Sequence, residues 1–272
     1  MNLDLLASKF ARIGARLELG EGDPDRAGIV GRGPVIFNVR NDHKGEHFTI
    51  RFGNERAAPA EVEALDVQPD DRHLLILVRG SEGKSKYLCG HDERHWFVAA
   101  VPESAPVGTV RAAKEALKPR EVLAAQARVS LGGKALQRRH NRAFRRQGEW
   151  FFVPEPALKV DPRVILRNEP IRRGNGGKAH WVDECHRAGG TTVYVCARHP
   201  GGLDTRSYQE LLESKPEARH WGWRMMVREA RVHVRGKVRH PDHKTITLHG
   251  WHRVHMNTEN LARAMRNVAF LD

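Results

Sequence analysis

Between Val35 and Val101 one pattern repeats: short runs rich in β-branched and aromatic residues, cut by turn signals at close spacing. The runs are VIFNVR, HFTIRF, EVEALDV, HLLILVR, KYLCG and HWFVAAV, separated by stretches such as NDHKG, QPDD and GSEG. Side chains of a strand point alternately to its two faces, and Gly, Asp, Asn and Pro supply the reversals between strands. The pattern therefore predicts an antiparallel sheet or small barrel.

The flanking segments change period. Leu3, Leu6, Phe10, Ile13 and Leu17 recur at helical spacing and predict an amphipathic first helix. After ESAPVG, Thr109 is placed to cap a helix through VRAAKEAL, and Pro119 to begin another over REVLAAQARVSL. A helix is also predicted from Lys134 to about Arg146, then a strand in GEWFFVPEP, a short helix in GKAHWVDECHRAGG and a strand in TTVYVCAR. DTRSYQELLESKP reads as a helix in which Ser207 and Glu210 have capping-box spacing. The stretch from Ala230 to Asn257 alternates on either side of HPDH, which predicts a β-hairpin, and TENLARAMRNVAF predicts a last helix. The expected class is α+β: a mainly antiparallel-β N-terminal domain over 1–106, a basic helical connector over 107–148 and a mixed α+β C-terminal domain over 149–272.

Charge divides the chain in the same way. Residues 1–110 carry 14 Lys+Arg against 17 Asp+Glu, and residues 111–272 carry 32 against 16, so the formal net charge of +13 arises entirely in the second part. Such a field attracts polyanions. The predicted helix concentrates it: Lys134, Arg138, Arg142 and Arg145 would share one face, flanked by Arg139 and Arg146, with no acidic residue among them. A second basic face is expected on the hairpin, where Arg231, Arg235, Lys237 and Arg239 share one parity and Val232, Val234 and Val238 the other. These ten residues are the candidate phosphate contacts. Nucleic acid is the expected partner, RNA or single strands being favoured, and no cofactor is needed for binding alone. An acidic protein is the alternative partner for a scaffold, and the N-terminal domain is a candidate for protein contacts.

Histidines crowd the C-terminal region: His233, His240, His243, His249, His252 and His255. Imidazole binds metals and moves protons at neutral pH, so an enzymatic alternative arises. Asp242 and His243 at the turn, Asn257 fourteen residues on and Asn267 ten beyond have a spacing that loosely resembles that of His-Asn-His nucleases. The resemblance implies His243 activating water, Asp242 and Asn267 holding magnesium or manganese, and Asn257 orienting the histidine. The stretch between them alternates like a strand where that family has an irregular loop. Zinc is a third option, through Cys185, His186, Cys196 and His199. CGHDERHWF brings Cys89 and His91 together, and its simplest interpretation is a turn beside a buried strand.

Three cysteines are too few and too odd in number for a disulfide framework, and the start lacks the features of a secretory signal. No run reaches the ~20 apolar residues of a membrane helix. A cytoplasmic protein without membrane contact is the expectation.

Overall fold

A computed structural model describes residues 3–21, 35–52, 60–80, 83–173, 178–263 and 265. The chain is α+β and mostly antiparallel sheet, as the alternating runs require. Helix α1 (Leu3–Arg12) precedes a three-stranded sheet of β1 (Leu17–Glu21), β2 (Val35–Asp42) and β3 (Gly45–Phe52) in the order β1-β3-β2. Strands β4 (Glu61–Gln68), β5 (His73–Gly80), β6 (Gly83–His91) and β7 (Trp96–Val101) come next as an antiparallel meander.

One core joins these two sheets: Leu6, Phe10 and Ile13 of the first segment pack with Phe37, Phe48, Ile76, Tyr87 and Trp96. The opposite face of the meander is covered too, because Leu75, Leu88 and Val101 pack under α2 (Val110–Ala116) with Val110, Ala113 and Leu117. A strand buried on both faces has no polar side, and β5 accordingly carries the unbroken apolar run LLILV. Thr109 caps α2 as expected, its hydroxyl accepting the Ala112 N–H at 3.1 Å. Helix α3 (Arg120–Arg128) starts after Pro119.

The second half is built on a six-stranded sheet, order β10-β11-β15-β16-β9-β8. Its strands are β8 (Arg145–Gln147), β9 (Trp150–Pro154), β10 (Leu166–Ile171), β11 (His180–Ala188), β15 (Arg231–Arg239) and β16 (Ile246–Met256). Trp150 and Phe152 face a core with Val182, Cys185, Val234 and Leu248, while Phe151 turns to the other side and meets Val122 and Phe144. Between β11 and β15 a smaller sheet intervenes, made of β12 (Thr191–Cys196), β13 (His199–Asp204) and β14 (Arg224–Arg228) and carrying α4 (Thr205–Ser214). Among the described residues, no helix is long and apolar enough to cross a membrane.

Several segments depart from expectation. The basic helix does not form. A 3-10 turn spans Gly133–Gln137, Arg138 is extended, and Arg145–Gln147 is a strand paired with β9. The Asn141 side-chain carbonyl accepts the N–H groups of Ala143 and Phe144 at 2.9 and 3.1 Å, a local turn that competes with helix. Clustered like charges add no support for a helix, and burial of Ala143 and Phe144 against α3 decides the path. The segment from His180 is strand β11, not helix, and it runs between β10 and β15. Asp204, rather than a Ser207–Glu210 box, caps α4 by accepting the Ser207 N–H at 2.7 Å. The expected last helix is a 3-10 turn over Thr258–Leu261, and most of the chain beyond Leu261 lies outside the described residues.

Phe48 is fully buried between Phe10 and Trp96, with ring centroids 5.0 and 5.3 Å away. Phe48→Ala is expected to cost ~3–5 kcal/mol through lost burial and a residual cavity. Urea denaturation measures this directly, and a change below ~1 kcal/mol would contradict the packing.

Candidate metal centre

Strand register brings three imidazoles to one end of the large sheet. Trp181 of β11 pairs with Arg239 of β15, so His180 and His240 come next to each other at the same edge. The turn His240-Pro241-Asp242-His243 then folds back before β16 and adds His243. All three are buried, and one ligand atom from each lies within 4.8 Å of the others. Ring centroids are 4.2 Å apart for His180 and His240, 4.6 Å for His240 and His243, and 5.6 Å for His180 and His243. An ion bound ~2.0–2.1 Å from a ring nitrogen sits ~3.2 Å from the centroid, so rings spread by ~80–125° around it would have centroids ~4.1–5.7 Å apart. The observed spacings fall in that window.

Neighbouring groups set the ring nitrogens. Gln147 donates through Nε2 to the carbonyls of Val238 and Lys244, at 3.2 and 2.8 Å, which fixes its own carbonyl toward His180 Nδ1 at 2.9 Å. His180 therefore donates from Nδ1 and presents Nε2 to Glu149. His243 Nδ1 faces the Asp92 carboxylate at 3.3 Å, the arrangement that orients a metal-binding histidine. His240 is set the other way, since the Asp242 N–H donates to its Nδ1 at 3.2 Å. Binding an ion through Nε2 would require that contact to loosen. Burial, with His180 and His243 alongside, pushes the His240 pKa down to about 4, so this ring is neutral at neutral pH.

Two carboxylates border the rings. Glu149 Oε2 lies 3.6 Å from His180 Nε2, and among the described residues neither atom has a hydrogen-bond partner; His240 Nε2 also has none. Burial opposes ionisation of Glu149, but His180 and Arg173 outweigh it and hold the carboxyl below its ordinary pKa. Gly148 makes the close approach feasible. Its φ is +56°, and an added Cβ would sit 2.8 Å from His243 Nε2 and 3.3 Å from His180.

On the far side of Asp92 lies a cavity of about 300 Å³ between the meander, α2 and the segment before β9. Lys114, Lys118, Arg138, Arg139 and Arg146 line it against the carboxylates of Asp71, Asp92 and Glu93. His73 also lines it. Burial, and after it the charge of Lys114, lowers the His73 pKa to about 3 against the weaker pull of Asp71, with Arg146 adding to the effect.

The sequence-derived candidates scatter. Arg139 pairs with Asp92 and Glu93, Arg235 with Glu184, and Arg239 with Asp183. Arg142 reaches the Val129 carbonyl, Arg145 and Arg146 enter β8, and Lys134, Arg138, Arg231 and Lys237 are exposed. Asp242 pairs with Lys178 at 2.8 Å, while Asn257 caps the last 3-10 turn. Asn267 lies outside the described residues, and the stretch from Ile246 to Met256 is a continuous strand.

The proposed zinc ligands do not converge. Cys185 and His186 belong to the large sheet, Cys196 and His199 to the small one, and the metal-competent group among the described residues contains none of them. Burial pushes the Cys89 thiol up, which leaves it protonated and non-nucleophilic. Sequence inspection singled out His240 and His243 but missed His180, Gly148, Glu149 and Asp92 as one constellation. The His-x-x-His spacing at a hairpin turn was the available signal. Comparison with known protein families, curated proteins and solved structures finds no match to this chain.

Gly148→Ala is expected to displace the histidines and strain a left-handed residue by ~1–2 kcal/mol. Urea denaturation should show the variant less stable than wild type, and equal stability would refute the assigned packing. The His73 shift also predicts a pH effect. The unfolded ring takes up its proton near 6.5 and the folded ring only near 3, so the contribution of neutral His73 is complete above 6.5 and declines as pH falls toward 3. Denaturation at pH 7 and pH 5 should show a smaller acid loss in His73→Gln than in wild type.

Proposed function

We propose that this protein is a metal-dependent hydrolase acting on phosphate esters of nucleic acid, its ion held by His180, His240 and His243. The observation that carries the proposal is the convergence of three buried imidazoles beside the Asp92 and Glu149 carboxylates, next to a cationic cavity that shares Asp92. Three protein ligands leave at least one coordination position for water or substrate. Nitrogen donors favour zinc over magnesium or manganese, which prefer oxygen, so this centre replaces the Asp242–Asn267 pair of the sequence-derived nuclease.

In this reading His180, His240 and His243 would hold the ion, which would supply Lewis-acid activation of a water molecule. Glu149 would take a proton from that water as its oxygen bonds to phosphorus and the P–O ester bond breaks, and would return the proton to the departing ester oxygen, which leaves as an alcohol. Arg139 and Arg146 face the phosphate. The positive excess of the second half, with exposed Arg138, Arg142, Arg231 and Lys237, supports a polyanionic substrate.

A second reading is a structural ion that clamps the hairpin turn to β11. It is favoured by how closed the rings are: His180, His240 and His243 retain 1, 6 and 3% of their surface.

Metal analysis of the native protein, followed by incubation with labelled RNA and DNA in zinc, manganese or magnesium, separates these. Hydrolysis requires about one ion per chain and cleavage in zinc. His240→Ala should lose both ion and cleavage, and Glu149→Gln should keep the ion while cleavage falls by ~10²-fold or more. An ion present without cleavage of either polymer would leave only the structural reading, and absence of any ion would remove both.

A further inference from the structure

Arg146 is the most unusual charge in the molecule. Arg146 is half-buried, its guanidinium lies over Phe151, 5.1 Å from the ring centroid, and its Nε donates to the Gly148 carbonyl at 2.7 Å. Among the described residues, no carboxylate oxygen comes within ion-pair distance of it. Burial and the neighbouring Arg139 lower its pKa to about 10, so it remains charged at neutral pH. Arg139 Nη1 of the same wall is buried, with Glu93 Oε1 3.4 Å away as its ion-pair partner. A partly buried cation without a carboxylate partner favours an anion that completes it. The five cations meet Asp71, Asp92 and Glu93 on the wall and Glu115, which pairs with Lys118 at 2.7 Å, so one positive charge is left over.

We propose that the cavity lined by Lys114, Lys118, Arg138, Arg139 and Arg146 is a binding site for a phosphomonoester. Planar guanidinium groups match phosphate oxygens in forked hydrogen bonds, and lysines add point charge. The volume of about 300 Å³ stands at the lower end of the ~300–1,000 Å³ typical of small-molecule sites, enough for a mononucleotide and too small for an extended strand. Phe97, Phe144 and Phe151 supply apolar walls for a base or sugar. The phosphate belongs either to a free mononucleotide or to the terminal nucleotide of a strand. This deepens the hydrolase reading by naming the group held beside the metal centre, although binding itself does not require an ion.

Calorimetry and thermal shift on the full chain test it at constant ionic strength, with inorganic phosphate, adenosine 5′-monophosphate and single strands with and without a 5′-phosphate. Saturable binding of the monophosphate is expected, with at least tenfold weaker binding by Arg146→Met. The methionine variant loses the Nε contact to the Gly148 carbonyl, so urea denaturation without ligand is run beside the binding measurement, and Arg146→Lys, which keeps the charge, should bind the monophosphate better than Arg146→Met. Preference for the phosphorylated strand over the nucleotide assigns the site to strand ends, and the reverse assigns it to free nucleotides. His240→Ala should still bind the monophosphate after losing its ion. Failure of phosphate and monophosphate to bind wild type, or equal binding by Arg146→Met, overturns the site. Metal content and cleavage judge the hydrolase reading separately.

Discussion

The buried carboxylate of Asp92 is the contact on which the two halves of the molecule depend. It sits in the loop between β6 and β7, accepts the N–H groups of Arg94 and His95 in its own loop, and faces both His243 and Arg139 of the second half. A carboxylate taken out of water without partners is strongly unfavourable, so these groups must assemble together. Its neighbours reinforce the junction: Glu93 accepts the Lys244 N–H at 2.9 Å, and Glu103 accepts the Arg263 N–H at 3.1 Å. The histidine turn, the arginine segment and the cavity all take their positions from this junction.

The same junction sorts the positive charge. Asp183 and Glu184 neutralise Arg239 and Arg235, which makes those two part of the scaffold, while Arg139 pairs with Asp92 and Glu93 at the cavity wall. Arg146 has no such partner among the described residues and stands inside a cavity instead. A basic composition therefore does not become a uniform cationic arm. It resolves into paired residues on the sheet, exposed residues elsewhere and a small group that lines the cavity. That division shifts the functional argument from long-range attraction toward a defined site, where imidazoles, carboxylates and guanidinium groups occupy adjoining volumes.

Strands were legible wherever burial left a period in the chain. The meander from Glu61 to Val101 followed from short β-branched and aromatic runs between turn residues, the hairpin around HPDH from alternation, and α2 from Thr109 and the apolar spacing behind it. The segment from Lys134 was misleading because helical spacing of arginines describes only where side chains would point if a helix formed. Asn141 offered the backbone a competing turn, and the burial of Phe144 against α3 selected it. His180 was hidden for a similar reason, since its segment lacks a clear period despite lying between two strands.

What the chain determined by itself was local: alternation, caps, turn residues and the imbalance of charge, all encoded within a few neighbouring positions. What tertiary structure alone decided was which distant groups meet. His180, His240 and His243 converge because β11 lies beside β15 in a particular register, and Asp92 and Gly148 arrive from loops that are remote in sequence. Strand order and register depend on packing between faces summed over the whole core, and no short stretch of sequence contains that sum.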